Sequence, residues 1–252
     1  MFGVHKKHRN ARYSAGMPAE IRALKSRIYG WFVLAKVLVE IIAIWIVSDL
    51  GYYILASISG AGSGYSTHPF LLTASYIFWI GITFYTFFEF YKGWKVVEVR
   101  PSLFVTMCLG SIGIFLYLIY ILPIFPPIHW AFGWVPPSEL LTASPWYFLP
   151  KSVEIGLQQL LVAAMILVFD KQKMSLRNIS YWSAALFGSI HLLLVFGGSS
   201  IGYVALFTTA ATVAGFVFPY LMLRVRNGFM YSFFIHWAFY AVVIVLARML
   251  FS

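Results

Sequence analysis

Charge is what this sequence has least of. Of 252 residues only 10% are Asp, Glu, Lys or Arg, while 61% are hydrophobic. Soluble globular chains carry about 25% charge and about 45–50% apolar residues, so the balance excludes a water-soluble enzyme and marks an integral membrane protein. Acidic groups are scarcer still, 8 against 18 Lys and Arg, for a formal charge of +10. In a soluble chain that excess would suggest nucleic acid. Here the basic residues cluster between apolar runs, where they set topology and meet anionic headgroups, so no nucleic-acid partner is expected. The single cysteine, Cys108, lies in an apolar run, which rules out an intrachain disulfide and leaves the redox compartment open. No cleavable signal peptide is expected, because a polar, basic segment precedes the first apolar run and that run can itself act as the targeting signal. Tandem repeats, low-complexity segments, a second domain and an HExxH-like pair are all missing.

What the chain does have is long apolar runs. A bilayer span needs about 20 mainly apolar residues, and runs of that kind begin near Ile28, Leu71, Leu103, Leu149, Ile179, Gly202 and Phe229. They predict an all-α, polytopic transmembrane helix bundle of seven spans. The number becomes eight if the first run, which continues past Asp49 to about Ser57, splits in two. Residues 1–27 form a basic tail in which Pro18 to Lys25 reads as a short interfacial helix, and residues 28–252 form the transmembrane domain.

Basic residues give the orientation. Lys92, Lys95 and Arg100 follow the second span, Lys171, Lys173 and Arg177 the fourth, and Arg224 and Arg226 the sixth. The alternate loops, Ser57 to Pro69, Phe125 to Trp146 and Gly197 to Ile201, contain neither Lys nor Arg. This alternation predicts a cytoplasmic N-terminus and an extracytoplasmic C-terminus. The loop from Pro126 to Glu139, rich in Pro and Trp, is expected to lie in the interface as a partial lid, with His129 and His68 facing solvent.

Polar groups at membrane depth are costly unless they find partners, so they point to the working parts. Glu154 with Gln158, Phe187 with His191, and His236 with Tyr240 are each four residues apart, hence on one helical face, and each pair sits on a different late span. Gln159 adds a second amide beside the first pair. A bundle can gather these faces around one small polar cavity, with His191 and His236 the expected partners of Glu154. Such a set suits hydrolysis, with the carboxylate taking a proton from water, a histidine beside it orienting that water, and a second histidine with a tyrosine hydroxyl donating to an oxyanion. Glu154, His191 and His236 are also an alternative zinc ligand set with an open fourth position, although a metal-free site is expected. A structural reading stands beside this one, in which the histidines bridge helices and Glu154 pairs with Lys151 one turn earlier. Lys36 and Glu40, spaced for an ion pair, and Asp49 and Glu89 are the stations a transporter would use, but no broken helices occur in matching halves. Gly215 and Pro219 read as close packing and a kink in the sixth span.

These residues resemble the CPBP family, the CAAX-protease and bacteriocin-processing (Abi) membrane proteins, whose motifs are EExxxR, FxxxH and HxxxN on separate helices. Phe187 to His191 matches the second in full, and His236 to Tyr240 matches the third with Tyr for Asn. The first motif is degenerate: either Val153-Glu154 stands for the glutamate pair with Gln158 for Arg, or Glu154-Ile155 does with Gln159 for Arg. The resemblance covers a core at residues 149–251. It implies an intramembrane glutamate-type endopeptidase acting on a membrane-associated or prenylated protein or peptide, with Glu154 and His191 handling water and His236 assisting the oxyanion. The missing acid and arginine leave a catalytically inactive scaffold, immunity or partner-binding protein as the alternative.

The charge alternation yields a direct test of orientation. A cysteine placed in the Gly197–Gly198 loop is expected to react with an impermeant maleimide from the extracytoplasmic side; labelling from the cytoplasm alone would reverse the topology.

Overall fold

Within hydrocarbon every backbone N–H and C=O must be paired inside the chain, so apolar runs of about 20 residues have helix as their only open-chain solution. The computed structural model describes residues 19–58, 64–94, 100–127, 140, 143–196 and 198–251. All regular elements among them are helical. They are α1 (Ala19–Ile58), α2 (Pro69–Thr86), the short α3 (Phe88–Lys92), α4 (Arg100–Leu116), α5 (Phe148–Lys171), α6 (Leu176–Ile190), α7 (Ile201–Arg224) and α8 (Gly228–Phe251). Seven candidate membrane spans lie among the described residues, at 30–55, 69–86, 102–124, 145–171, 176–195, 201–224 and 228–250. The first apolar run does not split. Nor is there a separate short helix at its start, because α1 begins at Ala19 and continues directly into the span; Pro18 and the tail before it lie outside the described residues. So do residues 128–139, with the expected lid and His129.

The chain divides into two units, Met1–Glu40 and Ile41–Ser252. In the first, Lys36 Nζ lies 3.6 Å from Glu40 across one turn of α1, an exposed pair. The second unit is built on α5. Across its span 78% of the residues are buried, against 44% or less in the other spans, so α5 is the helix that the others surround. Its apolar side chains Ile155, Leu161, Val162, Ala163, Ala164, Ile166 and Val168 are at most 1% exposed. Helix α2 packs along α5, and α6 pairs closely with α7.

Capping and small residues set the α6–α7 hairpin. Ser175 and Ser200 cap α6 and α7, each accepting a hydrogen bond from the backbone N–H three residues on, at 3.3 Å. Gly215 then lets the backbones touch, since a Cβ there would come within 2.5 Å of Ala184 Cα. Pro219 sits inside α7, where its missing N–H releases the Gly215 carbonyl without ending the helix.

The two ends of the bundle are tied differently. At one end Trp94 Nε1 donates to the Met222 carbonyl at 3.1 Å, Lys171 Nζ to that of Glu89 at 3.0 Å, and Asn227 Nδ2 to Ser102 at 3.1 Å. At the other, α4 loosens into a π-turn at Tyr117–Ile121 and a 3-10 turn at Leu122–Ile124, which includes Pro123. Its freed carbonyls are met by the buried guanidinium of Arg248, which donates to Leu122 at 3.3 Å, to Phe125 at 3.0 Å and to Ala143. Arg248 thus fastens the end of α4 and the approach to α5 onto α8. Replacing Arg248 with Leu is expected to lower stability by about 1–3 kcal/mol, the cost of orphaned buried carbonyls, read as an earlier unfolding midpoint in detergent.

Candidate functional site

The polar side chains of α5 begin one turn into the helix. Lys151, Glu154 and Gln158, at spacings of three and four, lie on one face and are 7%, 6% and 7% exposed. Lys151 Nζ is 2.8 Å from Glu154 Oε2, and Gln158 Nε2 donates to Oε1 at 2.8 Å. The third donor comes from the loop before α2, where the Tyr65 hydroxyl reaches Oε2 at 2.5 Å. That hydroxyl is also 2.8 Å from the hydroxyl of Tyr76. Tyr65 has one hydrogen and gives it to a carboxylate that can only accept, so Tyr76 donates to Tyr65, making a relay that ends on Glu154. Burial first, then the charge of Glu154, raises Tyr65 well above the usual tyrosine range, so it remains a donor. Lys151 Nζ is further held over the rings of Tyr240, 4.3 Å from its centroid, and Tyr65, at 5.1 Å.

Neither expected histidine is among these partners. His191 opens the 3-10 turn that ends α6, and its Nδ1 lies 2.8 Å from the Phe187 carbonyl. A carbonyl accepts only, so Nδ1 carries the hydrogen and Nε2 keeps its lone pair. His236 is tied elsewhere: Gln159 Nε2 donates to its Nδ1 at 3.1 Å, which leaves the ring hydrogen on Nε2. Ser232, 3.0 Å from Gln159 Oε1, orients that amide. The Phe187 ring stands between the two imidazoles, with centroids 5.1 Å from His191 and 6.1 Å from His236.

Glu154, Gln158, His191 and Tyr240 all border one cavity of about 690 Å³, together with Lys151, Asp49 and Tyr203. It lies where α1 and α6 end and α5 and α7 begin, toward the loops free of Lys and Arg. A second hollow of about 330 Å³, walled almost entirely by apolar side chains of α6, α7 and α8, is bordered by Phe187, His191 and His236. His191 and Phe207 border both spaces. The structure therefore sets Glu154 and His191 on one cavity and His236 on the adjoining one, with Gln159 behind His236. Among the described residues no group of three His, Cys, Asp or Glu side chains is gathered as metal ligands. His68 is half-buried, its Nδ1 3.2 Å from Thr67 Oγ1.

Two cavity groups, Asp49 and Tyr203, and the Tyr65 hydroxyl that holds Glu154 were not gathered from sequence. Asp49 was legible as an ionisable residue at depth, but nothing in its spacing tied it to α5. Tyr65 stands in a Gly- and Ser-rich loop whose path no periodicity predicts. Tyr203 looked like any aromatic of an apolar span. Comparison with family models, curated proteins and solved structures finds no match to this chain.

The ion pair makes a thermodynamic prediction. Lys151→Met strands Glu154 in a buried site and is expected to cost about 3–5 kcal/mol, whereas Lys151→Met with Glu154→Gln recovers most of that loss. Thermal unfolding of the single and double variants in one detergent measures the coupling.

Proposed function

We propose that this protein is an intramembrane endopeptidase of CPBP-like type that hydrolyses a peptide bond in a membrane-associated or prenylated protein. The observation that carries the reading is the cavity bordered jointly by the Glu154 carboxylate and the open Nε2 of His191, continuous in its lining with an apolar hollow at His236. In the proposed step a water held between Glu154 and His191 attacks the carbonyl carbon. Its proton passes to one of these two groups and then to the leaving amine, so that one carboxyl and one amine are released. His236 Nε2–H, fixed by Gln159, donates to the oxyanion as the tetrahedral species forms. Lys151 and Tyr65 hold Glu154 at a fixed rotamer, and no metal is invoked. In this reading the N-terminus is cytoplasmic, and the site opens toward the extracytoplasmic half of the bilayer.

One observation favours a second reading. Both Glu154 oxygens already accept internal hydrogen bonds, as befits a carboxylate that stabilises a fold which binds a partner without cutting it. Purified protein incubated with a membrane-anchored reporter peptide separates the two. Cleavage is expected, with Glu154→Gln and His191→Ala each abolishing it and His236→Ala slowing it by about 10²–10³, the usual loss for one oxyanion donor. Cleavage undiminished in Glu154→Gln shows that another group activates water. No cleavage, with a co-purifying partner retained by Glu154→Gln, establishes the binding role instead.

A further inference from the structure

The cavity contains one carboxyl group that no hydrogen bond or ion pair among the described residues engages. Asp49 borders it from α1, with Trp45 one turn before and Tyr53 one turn after on the same face. Among the described residues its carboxylate makes no hydrogen bond and no ion pair, in contrast to Glu154 on the opposite wall. A second acceptor is also vacant. Gln158 gives its amide N–H to Glu154, but its Oε1, buried and with no donor, is unused. An unmet buried acceptor costs about 1–3 kcal/mol until a donor arrives.

The charges fix the sign of what fits. Lys151 is the one cationic side chain among the described lining residues that carries a permanent charge, and Glu154 neutralises it at 2.8 Å. Asp49, when ionised opposite an incoming cation, leaves the cavity net negative. An anion would find no free counter-charge, and a zwitterionic headgroup would bring a phosphate against Asp49. A metal ion lacks a ligand set, since no three suitable side chains converge among the described residues. An organic cation meets every requirement: N–H donors for Asp49 and Gln158 Oε1, and aromatic walls from Trp45, Tyr53, Tyr203 and Tyr240. The same walls already hold a cation, since Lys151 Nζ lies 4.3 Å from the Tyr240 ring centroid.

We propose that this cavity recognises a cationic N–H group, an ammonium or guanidinium, with Asp49 as its counter-ion and Gln158 Oε1 as a second acceptor. For the endopeptidase reading, on which this substrate assignment rests, the group is a Lys or Arg side chain next to the scissile bond. The binding itself does not require cleavage.

The test uses the purified full chain in a non-ionic sugar detergent, with n-butylguanidinium, n-butylammonium, butanesulfonate and phosphocholine as probes, by calorimetry and thermal shift. Saturable binding of the two cations is expected, at least about tenfold tighter than butanesulfonate or phosphocholine. Asp49→Asn is expected to weaken the cations by at least about tenfold, while Glu40→Gln leaves them unchanged. Equal affinity for butanesulfonate, tighter binding of phosphocholine as for a lipid headgroup, or cation binding unaffected by Asp49→Asn overturns the assignment. If Asp49→Asn does not fold, the ranking of the four probes on the unaltered protein still decides. Cation binding without reporter cleavage keeps this site and removes the peptidase; cleavage indifferent to basic residues, without probe binding, does the reverse.

Discussion

A lysine and a glutamate one turn apart at the start of the most buried helix set the terms for everything around them. Taking two opposite charges out of water costs several kcal/mol per ion, and their mutual attraction repays it only with good geometry and further hydrogen bonds. The chain supplies those bonds from separate elements: Gln158 from α5, Tyr65 from the loop before α2 and Tyr76 from α2, with Tyr240 of α8 beneath the ammonium. Tyr52 and Tyr147 close around the Tyr65 ring at centroid distances of 5.2 Å. The loop before α2, α2, α5 and α8 thus converge on this pair. The location of the cavity follows from that convergence, since the ring of aromatic and polar groups cannot also be filled with aliphatic side chains.

Helix α5 projects two polar systems, not one, because consecutive residues on a helix diverge by about 100°. Gln158 points with Lys151 and Glu154 into the cavity, while Gln159, fully buried, turns toward α8 and fixes His236 through its amide. Gln158 thus serves the carboxylate and Gln159 the histidine, so two adjacent amides divide the polar partners of α5 between them.

How much of this was legible beforehand follows from which forces leave periodic traces. Spans and their number could be read because a bilayer demands apolar length, and the unbroken α1 shows that Asp49 did not interrupt the run. The pairs Glu154 with Gln158 and Phe187 with His191 were legible because spacing of four fixes a face. Which face meets which was not. Glu154 was expected to reach the histidines, but Lys151, three residues away, and Tyr65, 89 residues away, hold it instead. A local cation on the same helix pre-empts a remote imidazole, since it brings a full charge and needs no further chain to be ordered. Tyr65 escaped notice because a loop hydroxyl carries no signal until the loop is folded against its acceptor.

The two histidines are made unlike by their backbone neighbours. The carbonyl that Phe187 presents at the end of α6 takes the Nδ1 hydrogen of His191, so this ring offers a lone pair to the cavity. The amide of Gln159 gives a hydrogen to Nδ1 of His236, so that ring offers a donor to the adjoining hollow. Acceptors thus gather on the polar side, at His191, Asp49 and Gln158, and the donor lies on the apolar side across Phe187. A bound chain that placed N–H groups among the acceptors and a carbonyl near His236 would satisfy both sides at once, and a peptide backbone with a basic side chain is the simplest molecule with that distribution. The same sorting would hold such a segment whether or not a water is then activated beside it. Recognition of such a segment is the property that the proposed catalytic and partner-binding readings share.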